Sequence, residues 1–322
     1  MAILMGPCLL KVNTVTHLSS KVSQYNRGKF LIINADDLGV TLGVNRAISQ
    51  AYGAGTVSSA SLMANMPAFD DAVQMAKSNP SLGVGVHLTL ASGKPVLSKH
   101  AVPSLVDGDG RFLSRGKLMI GLATRKIALQ EVERELRAQV DLVMKSGLQP
   151  DHLDGDKHVH ILPRIRHIVV SLAGELGLPL RIPGEKIILD KGLSSLLSPK
   201  SVLAAAALLS RNSMALDTRQ ICLERGIKSN GNFLSIFGFV PRQTPETRHL
   251  IALLGRVTNG VNEMMVHPGY HDEQLEEFYG EKYLSAEREM ELQCLIDPAF
   301  KDAVHKNGIT LGTYKSLKNN LG

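Results

Sequence analysis

The segment from His152 to His160, His-Leu-Asp-Gly-Asp-Lys-His-Val-His, holds the densest group of side chains that could bind a metal or transfer protons. Side chains on a β-strand alternate between its two faces, so the five His and Asp residues at alternate positions would share one face. A solvated strand face would normally mix Lys, Thr, Ser and Glu into that pattern. Imidazole and carboxylate groups are ligands for zinc and similar divalent ions. The pattern therefore favours a metal site on this segment.

A second candidate is the pair of adjacent carboxylates at Asp36 and Asp37, which follows the apolar run Phe-Leu-Ile-Ile. Adjacent carboxylates repel each other unless a cation or a positive side chain neutralises them. An Asp-Asp pair alone is often a helix N-cap or a solvated turn. Here the apolar run places the pair at the end of a buried strand, where one acid could bind a metal and the other could act as a general base.

Three single residues gain meaning from these neighbours. His87 lies late in the apolar stretch Gly-Val-Gly-Val-His-Leu, where a histidine on its own is usually a core residue. His267 precedes Pro-Gly-Tyr and fits a general acid or a substrate contact. Arg181 could neutralise and orient a catalytic carboxylate. A structural salt bridge from Arg181 to Glu185 is the alternative, and the sequence does not choose between them.

The elements that must position these residues alternate between short β-rich runs and helical segments such as 127–146. Several runs are continuously apolar, as is typical of parallel strands covered on both faces. The carboxyl ends of parallel strands meet at one face of the fold, and functional residues gather there. We predict an α/β fold, a single-domain irregular (β/α) barrel with about six or seven mostly parallel strands. The strand candidates are Phe30–Asn34, Val57–Met63, Gly83–Leu90, His152–Ile161, Leu180–Pro183 and Glu263–His267, with Thr310–Tyr314 near the end.

Composition and charge exclude several classes of protein. The chain of 322 residues has 44% hydrophobic and 20% charged residues, which is typical of a globular protein with a large core. No apolar run reaches the roughly 18 residues of a membrane span. Four of the +6 net charges precede Asp36, the first acid, and there is no Trp, so the chain lacks the basic, aromatic surface of a nucleic-acid binder.

The cysteines and the N-terminus bear on the compartment. Cys8, Cys222 and Cys294 are far apart and odd in number, which indicates a reducing, cytoplasmic environment without a disulfide framework. Residues 1–28 contain no acid and begin with a short apolar stretch. We predict that they form an extension, either disordered or serving as an organelle-targeting signal, ahead of a folded domain over residues 29–318.

Four motifs, in this order, resemble those of YdjC-like carbohydrate deacetylases, a family that includes chito-oligosaccharide deacetylases. Any one motif alone would be unspecific, but the order and spacing of the four agree from about Phe30 to Tyr314, which is nearly all of the chain after the N-terminal extension. The motifs are Asn34-Ala-Asp-Asp-Leu-Gly39, Gly85-Val-His-Leu88, His152-Leu-Asp-Gly155 with His158-Val-His160 and Pro163, and Met265-Val-His-Pro-Gly-Tyr270.

The resemblance implies a distorted barrel, a divalent metal and hydrolysis of an N-acetyl group on an amino sugar. Carried over by position, Asp36 is the proton acceptor, while Asp37 and His87 are metal ligands. The family has histidine at the third ligand position, where this chain has Asp156. A second carboxylate favours a harder ion, so Mg²⁺ is the first candidate and Zn²⁺ or Mn²⁺ are the alternatives. His158, on the same predicted strand face, could substitute as the ligand.

The expected function is therefore metal-dependent removal of N-acetyl groups from amino-sugar oligosaccharides. In this hypothesis His267 protonates the leaving amine and Arg181 supports Asp36. One alternative is a sugar-binding protein in which Asp156 has abolished catalysis. Another is a metal-dependent hydrolase of a different amide or of a phosphoester, although the motifs hold few Arg or Lys residues for a phosphate. The expected partner is an N-acetylated oligosaccharide, and a second copy of the chain is a further candidate.

Overall fold

The computed structural model describes residues 28–189, 192–275, 282–318 and 320. The N-terminal extension predicted for residues 1–28 lies outside them except for Gly28, so it stays a prediction. Within the described ranges, no helix combines the length and the apolar character needed to cross a membrane.

A parallel sheet forms the centre of the fold, and every strand pairing within it is parallel. Its seven strands follow the order β4-β3-β2-β1-β8-β6, with β9 also pairing with β1. The short strands β5 and β7 pair separately. The strands are β1 (Lys29–Leu38), β2 (Ser59–Leu62), β3 (Gly83–Leu88), β4 (Leu153–Gly155), β5 (Ile188–Leu189), β6 (Asn232–Leu234), β7 (Phe239–Val240), β8 (Gly260–Val266) and β9 (Ile309–Leu311).

The sheet curves into an irregular barrel whose last side is built from isolated bridges. Leu180 bridges to Leu153 of β4 and to Ser229, and Glu185 bridges to Phe233 of β6. These contacts connect the two outer strands of the sheet order. The prediction of an irregular single-domain α/β barrel is confirmed.

Helices cover the outside of the sheet. Helix α4 shows why they form: Val132, Leu136, Val140 and Val143 are buried at helical spacing, as predicted for segment 127–146. The helices are α1 (Leu42–Gly53), α2 (Phe69–Ser78), α3 (Arg115–Ala123), α4 (Leu129–Lys145), α5 (Ile165–Leu176), α6 (Pro199–Glu224), α7 (Thr247–Leu254), α8 (Lys282–Ile296) and α9 (Pro298–Lys306).

Two strand predictions are wrong over part of their length. The run predicted over His152–Ile161 is a strand only at Leu153–Gly155, and a 3₁₀ turn follows over Asp156–Ile161. In that turn Lys157 and His158 have φ angles of 49° and 57°. The run predicted over Leu180–Pro183 contributes only the isolated bridges of Leu180. Local polar patterning could not reveal either change, because a strand ends where its neighbour no longer offers hydrogen bonds.

Candidate metal centre and active site

A bulge at the end of β1 turns the side chains of Asp36 and Asp37 towards the same side of the strand, where His87 lies. The pairing of β1 with β2 shifts register between Ala35 and Leu38, and Asp37 adopts a left-handed φ of 68°. Adjacent side chains on a regular strand would point to opposite faces, whereas a bulge redirects one of them. Both carboxylates therefore approach His87 Nε2, with Asp36 Oδ2 at 3.8 Å and Asp37 Oδ1 at 3.6 Å.

His87 on β3 is held in a fixed orientation by Asp154 of β4. Its Nδ1 lies 2.8 Å from Asp154 Oδ1, which leaves Nε2 facing Asp36 and Asp37. A carboxylate behind a histidine fixes the ring in this way in many metal sites. Burial by itself lowers the pKa of His87, but the carboxylates of Asp154, Asp36 and Asp37 raise it to about 10. The surrounding negative charge thus stabilises a cation at this position.

Asp156, at the start of the 3₁₀ turn, is the third residue beside Asp37 and His87 that could bind a metal. Its Oδ2 accepts a hydrogen bond from the Thr89 hydroxyl at 3.0 Å. The ligand atoms of Asp37, His87 and Asp156 lie within 4.8 Å of one another, and all three residues are buried. Two carboxylates and one imidazole are a suitable donor set for a divalent ion. These residues therefore fit a metal.

A second, overlapping group of Asp36, His87 and Asp154 also has its ligand atoms within 4.8 Å. The oxygens of Asp154 are already engaged, however. Oδ1 faces His87, and Oδ2 accepts from the Ser61 hydroxyl at 2.6 Å and lies 2.7 Å from Arg181 Nη1. Asp154 consequently supports the histidine, and the Asp37–His87–Asp156 group is the better candidate for the metal.

Residues Asp156–Ile161 form a 3₁₀ turn and not a strand, so His158 does not share a strand face with Asp156 as predicted. The His158 ring lies edge-on to Phe233 with centroids 6.0 Å apart, and it belongs to neither ligand group. It still lines the same cavity. The His160 ring Nε2 lies 3.1 Å from the Arg181 carbonyl oxygen, and His152 stacks on Tyr314. The expectation that all five alternating residues share one face is therefore wrong.

Arg181 is fully buried among three carboxylates. Its Nη1 and Nη2 each donate to one oxygen of Asp36 at 2.7 Å, and its Nε donates to Glu263 at 2.7 Å. The same guanidinium lies 2.7 Å from Asp154. The alternative pairing with Glu185 is wrong, since Glu185 pairs with Arg211. Arg181 thus neutralises and orients Asp36, as the first interpretation predicted.

His267 follows β8 and closes another side of the site. Its backbone N–H donates to Glu291 Oε2 at 3.0 Å, and its ring lies edge-on to Phe237 with centroids 5.4 Å apart. Burial lowers the pKa of His267 to about 4, although the nearby Asp36 and Asp37 act against this shift. The ring is therefore neutral at pH 7, and its Nδ1 has no hydrogen-bond partner among the residues that the structure describes.

Three residues from α8 enter the site without having been predicted. Arg288 donates to Asp37 Oδ2 at 2.5 Å, and Glu287 and Glu291 line the cavity beside it. Glu291 lies four residues after Glu287 and three after Arg288, so the three side chains lie on one side of the helix. Such a charged face normally indicates solvent exposure, so the sequence offered no distinguishing signal.

The site opens into a cavity of about 380 Å³. Its walls include positive side chains from outside the four motifs, and each has a partner. Arg211 pairs with Glu185, Arg242 pairs with Glu287, and Lys157 donates to the Ser92 hydroxyl at 2.7 Å. The cavity is therefore more cationic than the motifs alone indicated.

Glu291 gives a stability prediction. Burial raises its pKa from the ordinary 4.5 to about 7, against the opposing effect of the His267 N–H. A carboxyl group whose pKa is raised on folding contributes stability that is present below pH 4.5 and is lost as the pH rises through 7. We expect Glu291→Gln to be more stable than the parent by up to about 3 kcal/mol at pH 8, with no difference at pH 4.

Urea unfolding at several pH values, with a chelator present throughout, measures this difference. A Glu291→Gln variant whose stability relative to the parent did not change between pH 4 and pH 8 would contradict the prediction.

Together the fold and the Asp37–His87–Asp156 group define an α/β-barrel protein with a buried group of side chains that could hold a metal ion. The sequence model of the family described as YdjC-like protein matches residues 30–306. The chain belongs to this family, and the resemblance carried by the four motifs is confirmed.

Relatives and a solved structure agree with this assignment. A carbohydrate deacetylase of Brevibacillus brevis is 34% identical over 289 residues, which cover 89% of this chain and 99% of that protein. A chitooligosaccharide deacetylase of Yersinia enterocolitica is 33% identical over 290 residues, covering 89% and 98%. A crystal structure of an Enterococcus faecalis protein, whose proposed role is cellobiose-phosphate cleavage, superposes with a TM-score of 0.71 at 30% identity and covers 90% of this chain and 99% of that one.

Proposed function

We propose that this protein removes the N-acetyl group from amino sugars in oligosaccharides by metal-dependent hydrolysis. The observation that carries the proposal is the Asp37–His87–Asp156 group at the wall of the cavity, with Asp36 held beside it by Arg181. Relatives named carbohydrate deacetylase and chitooligosaccharide deacetylase align over nearly their full length, which supports the same reaction here.

Asp37, His87 and Asp156 would hold the metal. When bound there, a divalent cation supplies Lewis acidity to the acetyl carbonyl and to the attacking water. Because two of the three donors are carboxylates, Mg²⁺ is our first candidate, with Mn²⁺ or Zn²⁺ as alternatives. Thr89 positions Asp156, and Asp154 orients the His87 ring.

Asp36 is the proposed proton acceptor for the water. Its carboxylate faces the His87 imidazole and is 3% exposed, so it lies at the site without being solvated. The two-point contact with Arg181 and a hydrogen bond from Asn34 Nδ2 at 2.9 Å fix its orientation. A positioned carboxylate accepts a proton in one defined direction, which is what general base catalysis requires.

His267 is the proposed proton donor to the leaving amine. Its pKa of about 4 means that the free ring is neutral at pH 7. The imidazole can therefore serve as an acid only after it has taken up a proton during the reaction. The proton that Asp36 removes from the water is the available source: it passes to His267 and then to the leaving amine, which returns Asp36 to a carboxylate and the imidazole to its neutral form.

Substrate recognition is expected to rest mainly on hydrogen bonds. The cavity volume of about 380 Å³ falls within the usual range for small-ligand sites. Most of its lining side chains are polar or charged, and Phe237 is the aromatic residue among them. Polar groups in the wall suit hydrogen bonds to sugar hydroxyl groups, and Ile236, Phe237 and Met265 supply apolar surface for the C–H groups of a sugar ring.

The first experiment is release of acetate from di-N-acetylchitobiose by purified protein, before and after chelation. Metal-dependent release that returns on adding magnesium, manganese, zinc or cobalt supports the enzyme. A protein that contains no metal and releases no acetate would instead support the sugar-binding alternative. A protein that retains metal but releases no acetate would direct the search to another amide or to a phosphoester.

Asp156→His restores the residue type of the family pattern and tests the metal assignment. We expect the variant to retain deacetylase activity and to bind Zn²⁺ at least about 10-fold more tightly relative to Mg²⁺, because imidazole prefers the softer ion. Metal titration with both ions measures the ratio. An unchanged ratio would show that residue 156 is not a ligand, and Thr89→Val is the matched control that loosens Asp156 without changing the donor set.

A further inference from the structure

Tyr314 follows β9 and joins the core to the polar network behind the proposed site. Its ring is fully buried in a small apolar cluster with Ile32 of β1, Val261 of β8 and Leu317. Among the described residues, the side chains that line the cavity do not include Tyr314. Its hydroxyl donates to Glu263 Oε2 at 2.5 Å. This core tyrosine therefore ends on a buried carboxylate.

Glu263, on β8, connects Tyr314 to Arg181. While Glu263 Oε2 accepts from the tyrosine, Oε1 accepts from Arg181 Nε at 2.7 Å. The two Nη atoms of Arg181 donate to Asp36. Because a guanidinium is planar, a fixed Nε edge also fixes the directions of its Nη–H groups. The four side chains form a continuous chain of hydrogen bonds from Tyr314 to Asp36, and none is more than 3% exposed.

The buried Glu263–Tyr314 pair is costly if its purpose is only to fill space. Burial raises the pKa of Glu263 above its ordinary value, although Arg181 and the tyrosine act against the shift. Apolar residues of similar volume often stabilise a core as well as a buried ion pair does. Burial, and then the charge of Glu263, raise the pKa of Tyr314 well above its ordinary value, so its hydroxyl remains a donor. An orienting role for the pair accounts for this cost.

We propose that Tyr314 is a positioning residue of the active site, which acts on Asp36 through Glu263 and Arg181. The inference rests on the proposed role of Asp36 as proton acceptor. A misplacement of about 1 Å in a catalytic group can lower a rate by about 10²-fold. Without the hydroxyl, the Glu263 carboxylate can rotate, and the guanidinium that holds Asp36 can rotate with it.

The ring of Tyr314 makes a second contact, which Tyr314→Phe preserves. It stacks on His152, with ring centroids 4.2 Å apart and planes inclined by 19°. His152 Nε2 lies 3.3 Å from Ser61 Oγ. Ser61 donates to Asp154, which orients the His87 ring. Phenylalanine keeps the stacked ring and removes only the hydroxyl, so the variant isolates the path through Glu263.

Steady-state release of acetate from di-N-acetylchitobiose tests the proposal in two backgrounds. Tyr314→Phe should lower kcat about tenfold and leave KM and metal affinity within about twofold of the parent. In an Asp36→Asn background the same substitution should change kcat by less than about twofold, because the group that Tyr314 positions is already lost. An unchanged kcat in Tyr314→Phe, or an equal loss in both backgrounds, overturns the proposal.

Thr218→Val is the matched control for lost stability. Thr218 is fully buried on α6, and its hydroxyl donates to the Met214 carbonyl at 2.8 Å. Like Tyr314→Phe, the variant removes one buried hydroxyl, so both should lower the midpoint of urea unfolding by a similar amount. Only Tyr314→Phe should lower kcat. If Thr218→Val lowered kcat equally, destabilisation would explain both losses and the proposal would fail.

Hydrogen exchange of the Arg181 Nε–H, followed by NMR, needs no substrate. Its resonance is assigned by its absence in Arg181→Lys. Tyr314→Phe should accelerate this exchange at least about tenfold, because Glu263 then holds the Nε–H less firmly, whereas Thr218→Val should not. A parent that releases no acetate would refute the proposed function, and the exchange rate would still decide the positioning. An exchange rate that Tyr314→Phe does not change overturns it.

Discussion

Asp36→Asn should lower kcat for acetate release by about 10²–10⁴-fold while the protein keeps its metal. The amide has the size of the carboxylate and can still contact Arg181, but it cannot accept the proton of the attacking water. Asp36 belongs to the overlapping ligand group with Asp154, whose oxygens are already bound by Arg181 and Ser61. The Asp36→Asn substitution therefore removes the base, while all three residues of the Asp37–His87–Asp156 group remain to bind the metal. Steady-state kinetics together with metal analysis of the same sample measure both effects.

Asp37→Asn is the matched control, one residue away. Asparagine tolerates the left-handed backbone at residue 37, where φ is 68°, so the variant is expected to fold. It should lose both metal and activity, because Asp37 is a proposed ligand. If Asp36→Asn lost its metal as well, or stayed within tenfold of the parent in kcat, the roles assigned to the two acids would have to be abandoned.

Arg181→Met should destabilise the fold by about 3–5 kcal/mol. Removal of the guanidinium leaves the carboxylates of Asp36, Asp154 and Glu263 buried together without the cation that contacts all three. Mutual repulsion and desolvation both act against the folded state. Chemical unfolding at pH 7, in the presence of a chelator, gives the free energy directly.

Arg137→Met supplies the comparison for Arg181. Arg137 also contacts two acids, Glu133 and Glu175, but its side chain is 39% exposed. Water screens such pairs, so this variant should lose less than about 1 kcal/mol. Should Arg181→Met prove too unstable to purify, Arg181→Lys, which keeps the charge but not the two-point contact, provides an intermediate value. Equal losses at residues 181 and 137 would refute the importance of the buried network.

Parallel topology and four motifs could be predicted from the sequence, because both depend on short segments. Continuous apolar runs indicate strands covered on two sides, and β1, β3 and β8 appear where such runs were found. Asp36, Asp37 and His87 lie within the last three residues of β1 and β3, at the ends where a parallel fold gathers its functional residues. The family assignment depends on the same short strings and needed no contact information.

The tertiary structure decided which side chains meet. The period-two pattern from His152 to His160 failed because the chain leaves the strand after Gly155 and passes through two left-handed residues. Only that turn sets Asp156 with Asp37 and His87 and takes His158 out of the group.

The sequence also could not show which charged residues form ion pairs with each other. Arg181 had two plausible carboxylates, one four residues away and one 145 residues away, and it binds the distant one. Arg288 reaches Asp37 across 251 residues. Sequence patterns report the preferences of a segment for strand, helix or burial, whereas electrostatic contacts depend on which segments the folded core brings within a few ångströms. The sequence therefore determined the class of fold, the family and most candidate residues, and the packing of the barrel determined the composition of the site.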